Sequence, residues 1–153
     1  MRKGPDKDNG SMVRRVLVAT DRSETAEVAV RFAAEMATRF GADLVLLQVV
    51  IPPTTTSVAM TEDLVRHARE LADEKGYGTV VVGDDPAKAI IEAAETEDVD
   101  VVVVGNVGMS GRKEFLLGNV PNRVSHGTSR TVVIVNTRQR VEEQAQKRRR
   151  FFR

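Results

Sequence analysis

The 153-residue chain contains no cysteine. Disulfides, thiolate metal sites and cysteine nucleophiles are thereby excluded, and the simplest setting for such a chain is a reducing cytoplasm. Tryptophan is absent as well, and aromatic residues make up only 4%. A core must then be assembled from Val, Ile, Leu and Ala, within a hydrophobic fraction of 41%. No uninterrupted apolar run approaches the roughly 18 residues of a membrane-spanning helix. No apolar segment follows the basic start either, so neither a span nor a leader peptide is expected. The length suits one domain.

Net charge is nearly absent, at +1, but its parts are uneven. Residues 1–15 carry five basic and two acidic groups, and residues 138–153 carry seven basic and two acidic groups. The stretch between has eleven basic and eighteen acidic groups. An acidic body argues against a general nucleic-acid binder. Residues 1–12 read as a disordered segment or tag, 13–137 as the domain, and 138–153 as a basic tail or linker, with Glu142–Arg153 either a frayed helix or a linker.

Hydrophobic patterning within the domain alternates between two kinds of segment. Strand-like apolar runs occupy Arg14–Thr20, Asp43–Ile51, Thr79–Val82, Val99–Val104 and Thr131–Asn136. They are apolar on both faces, as strands of a buried parallel sheet are. Helical patterns fill 24–40, 62–75, 86–97 and 119–127. In the first, Val28, Phe32, Met36 and Phe40 form a stripe with Ala29 and Ala33 beside it. Asp21 or Ser23 caps its start, and Gly41 ends it. Pro52-Pro53 stops the second strand, Gly76 and Gly78 bracket the exit of the second helix, and Pro86 suits the first turn of the third. The alternation predicts an open α/β sheet with helices on both faces. In such sheets ligands bind beyond the carboxyl ends of the strands, where strand order reverses.

Two segments at such ends carry suitable chemistry: Ala19-Thr20-Asp21, and the glycine segment from Gly105. Gly105 and Gly108 are three apart, and Gly118 follows ten residues later. Glycines let main-chain N–H groups approach a phosphate closely. Gly118 opens a helix whose free amides and dipole favour an anion, and the Asn119 side chain can donate to the same group. Asp21 can hold a ribose hydroxyl or a metal ion. The spacing is neither a Walker loop nor the dinucleotide GxGxxG pattern; turn-forming glycines without a ligand are the competing reading.

Together these segments resemble the universal stress protein family. Its nucleotide signature is Gly-x2-Gly-x9-Gly-Ser/Thr after the fourth strand, and Gly105, Gly108 and Gly118 stand at that spacing with Leu116-Leu117 before the last glycine. The opening VLVATDRSETAEVAV and the closing TVVIVN are similar to the family's first strand with its Asp and helix, and to its last strand. The resemblance covers residues 13–137. It implies a five-stranded parallel sheet of order 3-2-1-4-5, homodimers through Thr131–Asn136, and binding of ATP or a related adenine nucleotide, with Mg²⁺ as a companion ion. Position by position it places Ala19, Thr20 and Asp21 around adenine and ribose, and the main chain of Val49 against adenine. Gly105, Val107 and Gly108 form the first phosphate turn, and Gly118, Asn119 and Val120 the second. Asn119 departs from the pattern, being longer than Ser or Thr and lacking the hydroxyl. Relatives with similar GNVG turns point to cyclic AMP as an alternative ligand.

Other polar residues read as background. His67 is expected on a solvated helix surface. His126 sits where a cation suits a helix end. Ser110, Arg112 and Lys113 either meet phosphate or are solvated loop residues. Three functions stay open: a nucleotide-binding regulator with at most slow ATP hydrolysis, a dimeric interaction module without a nucleotide, and an adenine-nucleotide hydrolase.

Overall fold

The computed structural model describes residues 10–106 and 119–151. Its elements in chain order are β1 (Arg15–Ala19), α1 (Glu24–Phe40), β2 (Asp43–Val50), α2 (Val58–Ala72), β3 (Gly76–Val82), α3 (Pro86–Thr96), β4 (Val101–Gly105), α4 (Asn119–Gly127), β5 (Thr131–Val135) and α5 (Thr137–Phe151). The strands form one sheet of order β3-β2-β1-β4-β5, and every pairing is parallel. This is the topology expected from the family resemblance.

The two-residue period of the strands divides the core. Val16, Val18, Leu44, Leu46, Val101 and Val103 face one layer. Leu17, Val45, Leu47, Val49, Val102 and Val104 face the other, against α3 and Val124 of α4. On the first face α1 buries Ala29, Val30, Ala33, Ala34 and Ala37. The stripe expected in the sequence, Val28, Phe32 and Met36, only flanks this alanine face, and Phe40 is exposed. Alanine side chains let the helix lie close to the sheet, and the bulkier residues fill its margins.

Helix ends follow local chemistry. Ser23 rather than Asp21 caps α1, its Oγ accepting from Ala26 N. Gly41, in the left-handed region at φ 63°, closes it. Asp85 caps α3, with Pro86 in the first turn. Helix α2 starts four residues before the expected Glu62, because Ser57 Oγ accepts from Met60 N at 3.1 Å. It also ends earlier, and β3 begins at Gly76. Gly76 and Gly78 thus lie inside the strand, not at a helix exit. A β-carbon at Gly76 would collide with the Ala68 carbonyl, and one at Gly78 would stand 3.0 Å from Val65 N. Both glycines serve close strand–helix packing. The segment after Asn136 is a continuous helix, α5, packed against α1. Among the described residues no helix is long and apolar enough to cross a membrane.

Candidate nucleotide site at the carboxyl ends of β1 and β4

Strand order reverses between β1 and β4: the chain proceeds from β1 to β2 on one side and reaches β4 on the other. A cleft opens there, at the carboxyl end of the sheet. Ala19 and Ser23 line it from the β1 side, Val104 and Gly105 from the β4 side, and Val120 and Thr137 from the starts of α4 and α5. Thr25, Ala26, Ile90 and Pro121 complete the described wall. The hollow itself is about 40 Å³, and with its open mouth it comes to about 470 Å³. Among the described residues no charged side chain lines it, and hydroxyls come from Ser23, Thr25 and Thr137. The first turns of α1, α4 and α5 all meet this cleft. Helix N-termini carry partial positive charge, so the convergence favours an anion.

The β1–α1 turn is held by its own side chains. Thr20 is buried, and its N–H donates to Leu47 O at 2.8 Å, extending the β1–β2 ladder one step. Its Oγ1 accepts from Arg22 N at 3.0 Å, across the turn in which Arg22 takes φ 69°. Asp21 Oδ1 accepts from Ser23 N at 2.9 Å. The other carboxylate oxygen, Oδ2, is buried and has no hydrogen-bond partner among the described residues. Leaving such an atom unpaired is costly, and a native structure does so mainly where a ligand or water supplies the donor.

Val49 lies on β2 next to this turn. Leu47 O accepts from Thr20 N, whereas Val50 O accepts from Gly83 N beyond β3. Because main-chain groups alternate sides along a strand, those of Val49 point to the β1 side, past the point where β1 has ended. The valine side chain is buried in the core, which leaves the main chain as the part a ligand can meet.

Of the site residues expected from sequence, Ala19, Gly105 and Val120 line the cleft. Thr20 and Asp21 form the turn beside it, and Asn119 opens α4. Val107, Gly108 and Gly118, with Ser110, Arg112 and Lys113, lie outside the described residues. Thr25 and Thr137 are cleft residues that sequence reading missed, and Ser23 was read only as a cap. Thr137 stands 31 positions from Asn106, yet Asn106 Oδ1 accepts from Thr137 N at 3.0 Å. No local pattern marks such a contact.

The other layer holds α4 in place. Arg123 donates to both carboxylate oxygens of Asp85 at 2.7 Å. This guanidinium, then the Lys88 amide, holds the Asp85 carboxyl below the usual carboxylate range, and the Asp85 carboxylate in turn raises Arg123. Arg130, first, and Ser129 do the same for Glu95. His67 differs from its expectation. Its side chain is 18% exposed, and Nε2 lies 3.0 Å from Glu27 Oε1. It ties α2 to α1 instead of facing solvent. His126 is exposed in the last turn of α4. Among the described residues no group of three or more His, Asp or Glu side chains is arranged to hold a metal ion.

The family model described as universal stress protein family matches residues 12–136. The chain belongs to the universal stress protein family. Universal stress protein Rv1636 of Mycobacterium tuberculosis is 32% identical over 148 residues, covering 83% of this chain and 99% of the relative. Universal stress protein YxiE of Bacillus subtilis is 29% identical, covering 81% and 99%. A universal stress protein solved in complex with cAMP aligns with a TM-score of 0.66 at 29% identity, over 83% of this chain and 99% of its own.

Proposed function

We propose that this universal stress protein binds an adenine nucleotide in the cleft between β1 and β4 and acts as a cytoplasmic nucleotide-responsive regulator. The observation that carries the reading is the buried Asp21 Oδ2, without a partner among the described residues and flanked by the cleft residues Ala19 and Ser23. A carboxylate oxygen in that position accepts from a ribose hydroxyl. Val49 offers main-chain groups to an adenine edge on the same side. The converging starts of α1, α4 and α5 supply the electropositive end for phosphate. Gly105, Val107 and Gly108, then Gly118, Asn119 and Val120, are the main-chain cradle in this proposal. The small hollow takes one group of the ligand, and the rest lies across the mouth. A solved relative holds cAMP, so the cyclic nucleotide stands beside ATP as a candidate. Mg²⁺ would accompany a triphosphate. Turnover, if any, is slow.

We also infer a homodimer through β5. It is an edge strand of the sheet, and Ile134 is 45% exposed. An apolar residue on an open edge invites pairing with a second copy.

Calorimetry with ATP, ADP, AMP and cyclic AMP tests the nucleotide reading on wild type and Gly118→Val. Micromolar binding is expected for at least one nucleotide. The valine variant, whose side chain would fill the phosphate space, is expected to lose it by at least a hundredfold. Absence of heat with all four would favour the interaction module.

A further inference from the structure

We propose that occupancy of the cleft and docking of α5 stabilise one another, with Asn106 as the coupling residue and Thr137 as its partner. This rests on the nucleotide reading above and adds a regulated element to it. The family match ends at residue 136, and α5 begins at Thr137. The helix is therefore an addition to the matched domain, yet its first residue is fully buried and lines the cleft.

The link is short and specific. Asn106 directly follows Gly105, the first glycine of the signature. Its main-chain N–H donates to Val135 O at 2.9 Å, continuing the β4–β5 ladder. Its side-chain Oδ1 accepts from Thr137 N at 3.0 Å and from Thr137 Oγ1 at 3.3 Å. A helix start leaves its first amides without intrahelical partners. For α5, one of these is satisfied by a residue of the ligand segment itself. A ligand that fixes the main chain at Gly105 therefore fixes the acceptor that holds α5.

The rest of α5 is poised to respond. Its described side chains at 143 and 146–151 are exposed, and it packs on α1. A polar helix held by one face opens at a lower free energy than the core. When docked, α5 sets Lys147 and Arg148 around a groove whose charged lining is mixed, with Glu24, Glu27, Arg22 and Arg31. Undocking would release the basic end, 147–150, from that groove. An occupied cleft thus keeps the basic end against the body, and an empty one frees it more often.

Hydrogen exchange of the α5 amides in the full-length protein, with and without saturating ATP, AMP or cyclic AMP, provides the test. The nucleotide that gives heat in calorimetry is expected to slow exchange over 138–150 about fivefold. Asn106→Ala is expected to speed exchange about fivefold in the free protein. If Asn106 carries the coupling, the nucleotide should then slow exchange of α5 much less in this variant than in wild type. Asn106→Asp keeps the acceptor and suits a helix N-terminus, so its free-state exchange should match wild type. Thr137→Val, which replaces the hydroxyl with a methyl group and keeps the main-chain N–H, should show a smaller change in the same direction as Asn106→Ala. Heat of binding with unchanged α5 exchange would overturn the coupling alone. Unaltered free-state exchange in Asn106→Ala, or slowing by the nucleotide as large as in wild type, would do the same. No heat from any nucleotide would overturn the functional reading and the coupling with it.

Discussion

At the amino ends of the strands, Asp100 Oδ2 accepts from the main-chain N–H groups of Arg14 and Arg15 at 2.8 and 3.1 Å. Arg15 is buried there. It donates to Glu97 O at 2.7 Å, lies 3.7 Å from Asp43 Oδ2 and sits over the Tyr77 ring at 5.5 Å. At the carboxyl ends, Asp21 spends one oxygen on its own turn and keeps the other buried without a partner among the described residues. Arg15 also has unmatched nitrogen atoms, but a carboxylate and a ring face its charge. Asp21 has no such cation beside it among the described residues. One end of the sheet closes on itself, and the other is left with an acceptor to offer.

The largest effect that would sharpen this contrast is on stability at the closed end. Arg15→Ala removes the cation facing Asp43 and is expected to cost about 3 kcal/mol in urea unfolding. Nucleotide affinity should stay within about twofold of wild type. At the open end the pattern should invert. Asp21→Asn retains an oxygen for Ser23 N–H but loses the carboxylate, so affinity should fall about tenfold, or ~1.4 kcal/mol. Its unfolding midpoint should stay close to that of wild type, because the Ser23 N–H keeps its acceptor. A lower midpoint with unchanged affinity would make Asp21 a purely structural turn residue.

Smaller changes test the α1 cap and the outer ion pairs. Ser23→Ala deprives Ala26 N–H of its acceptor and should destabilise by about 1 kcal/mol. The smallest effect is acid sensitivity. Asp85 and Glu95 are both held below their usual range, chiefly by Arg123 and Arg130. A carboxyl lowered in the folded state stabilises above its ordinary pKa, and loses that contribution as pH falls through the folded value. These pairs are exposed, so the loss is slight. Stability measured at stepwise lower pH should decline less steeply in the double variant Arg123→Gln, Arg130→Gln than in wild type.

Much of the fold was legible because strand and helix periods are hard to confuse when strands such as VVVV and TVVIV alternate with amphipathic segments. The strand order came with the family resemblance and not from the residues themselves. What stayed hidden was packing. Alanines of α1 were read as neighbours of a bulky stripe, yet they form the contact, because closeness to the sheet selects small residues. Gly76 and Gly78 looked like punctuation, but their meaning depends on α2 passing over them. At the site, Ala19, Gly105 and Val120 were found by motif. Thr137 was not, since only the parallel pairing of β4 with β5 brings it to the cleft. The Ser57 cap escaped because Met60, not Glu or Gln, stands at the third helical position.

A structure determined from crystals grown with ATP would test the central claim most directly. Ordered density is expected between the carboxyl ends of β1 and β4, with a ribose hydroxyl within hydrogen-bond distance of Asp21 Oδ2 and the phosphates toward Gly105 and Asn119. Density elsewhere on the molecule, or an internal donor already bonded to Asp21 Oδ2, would contradict it.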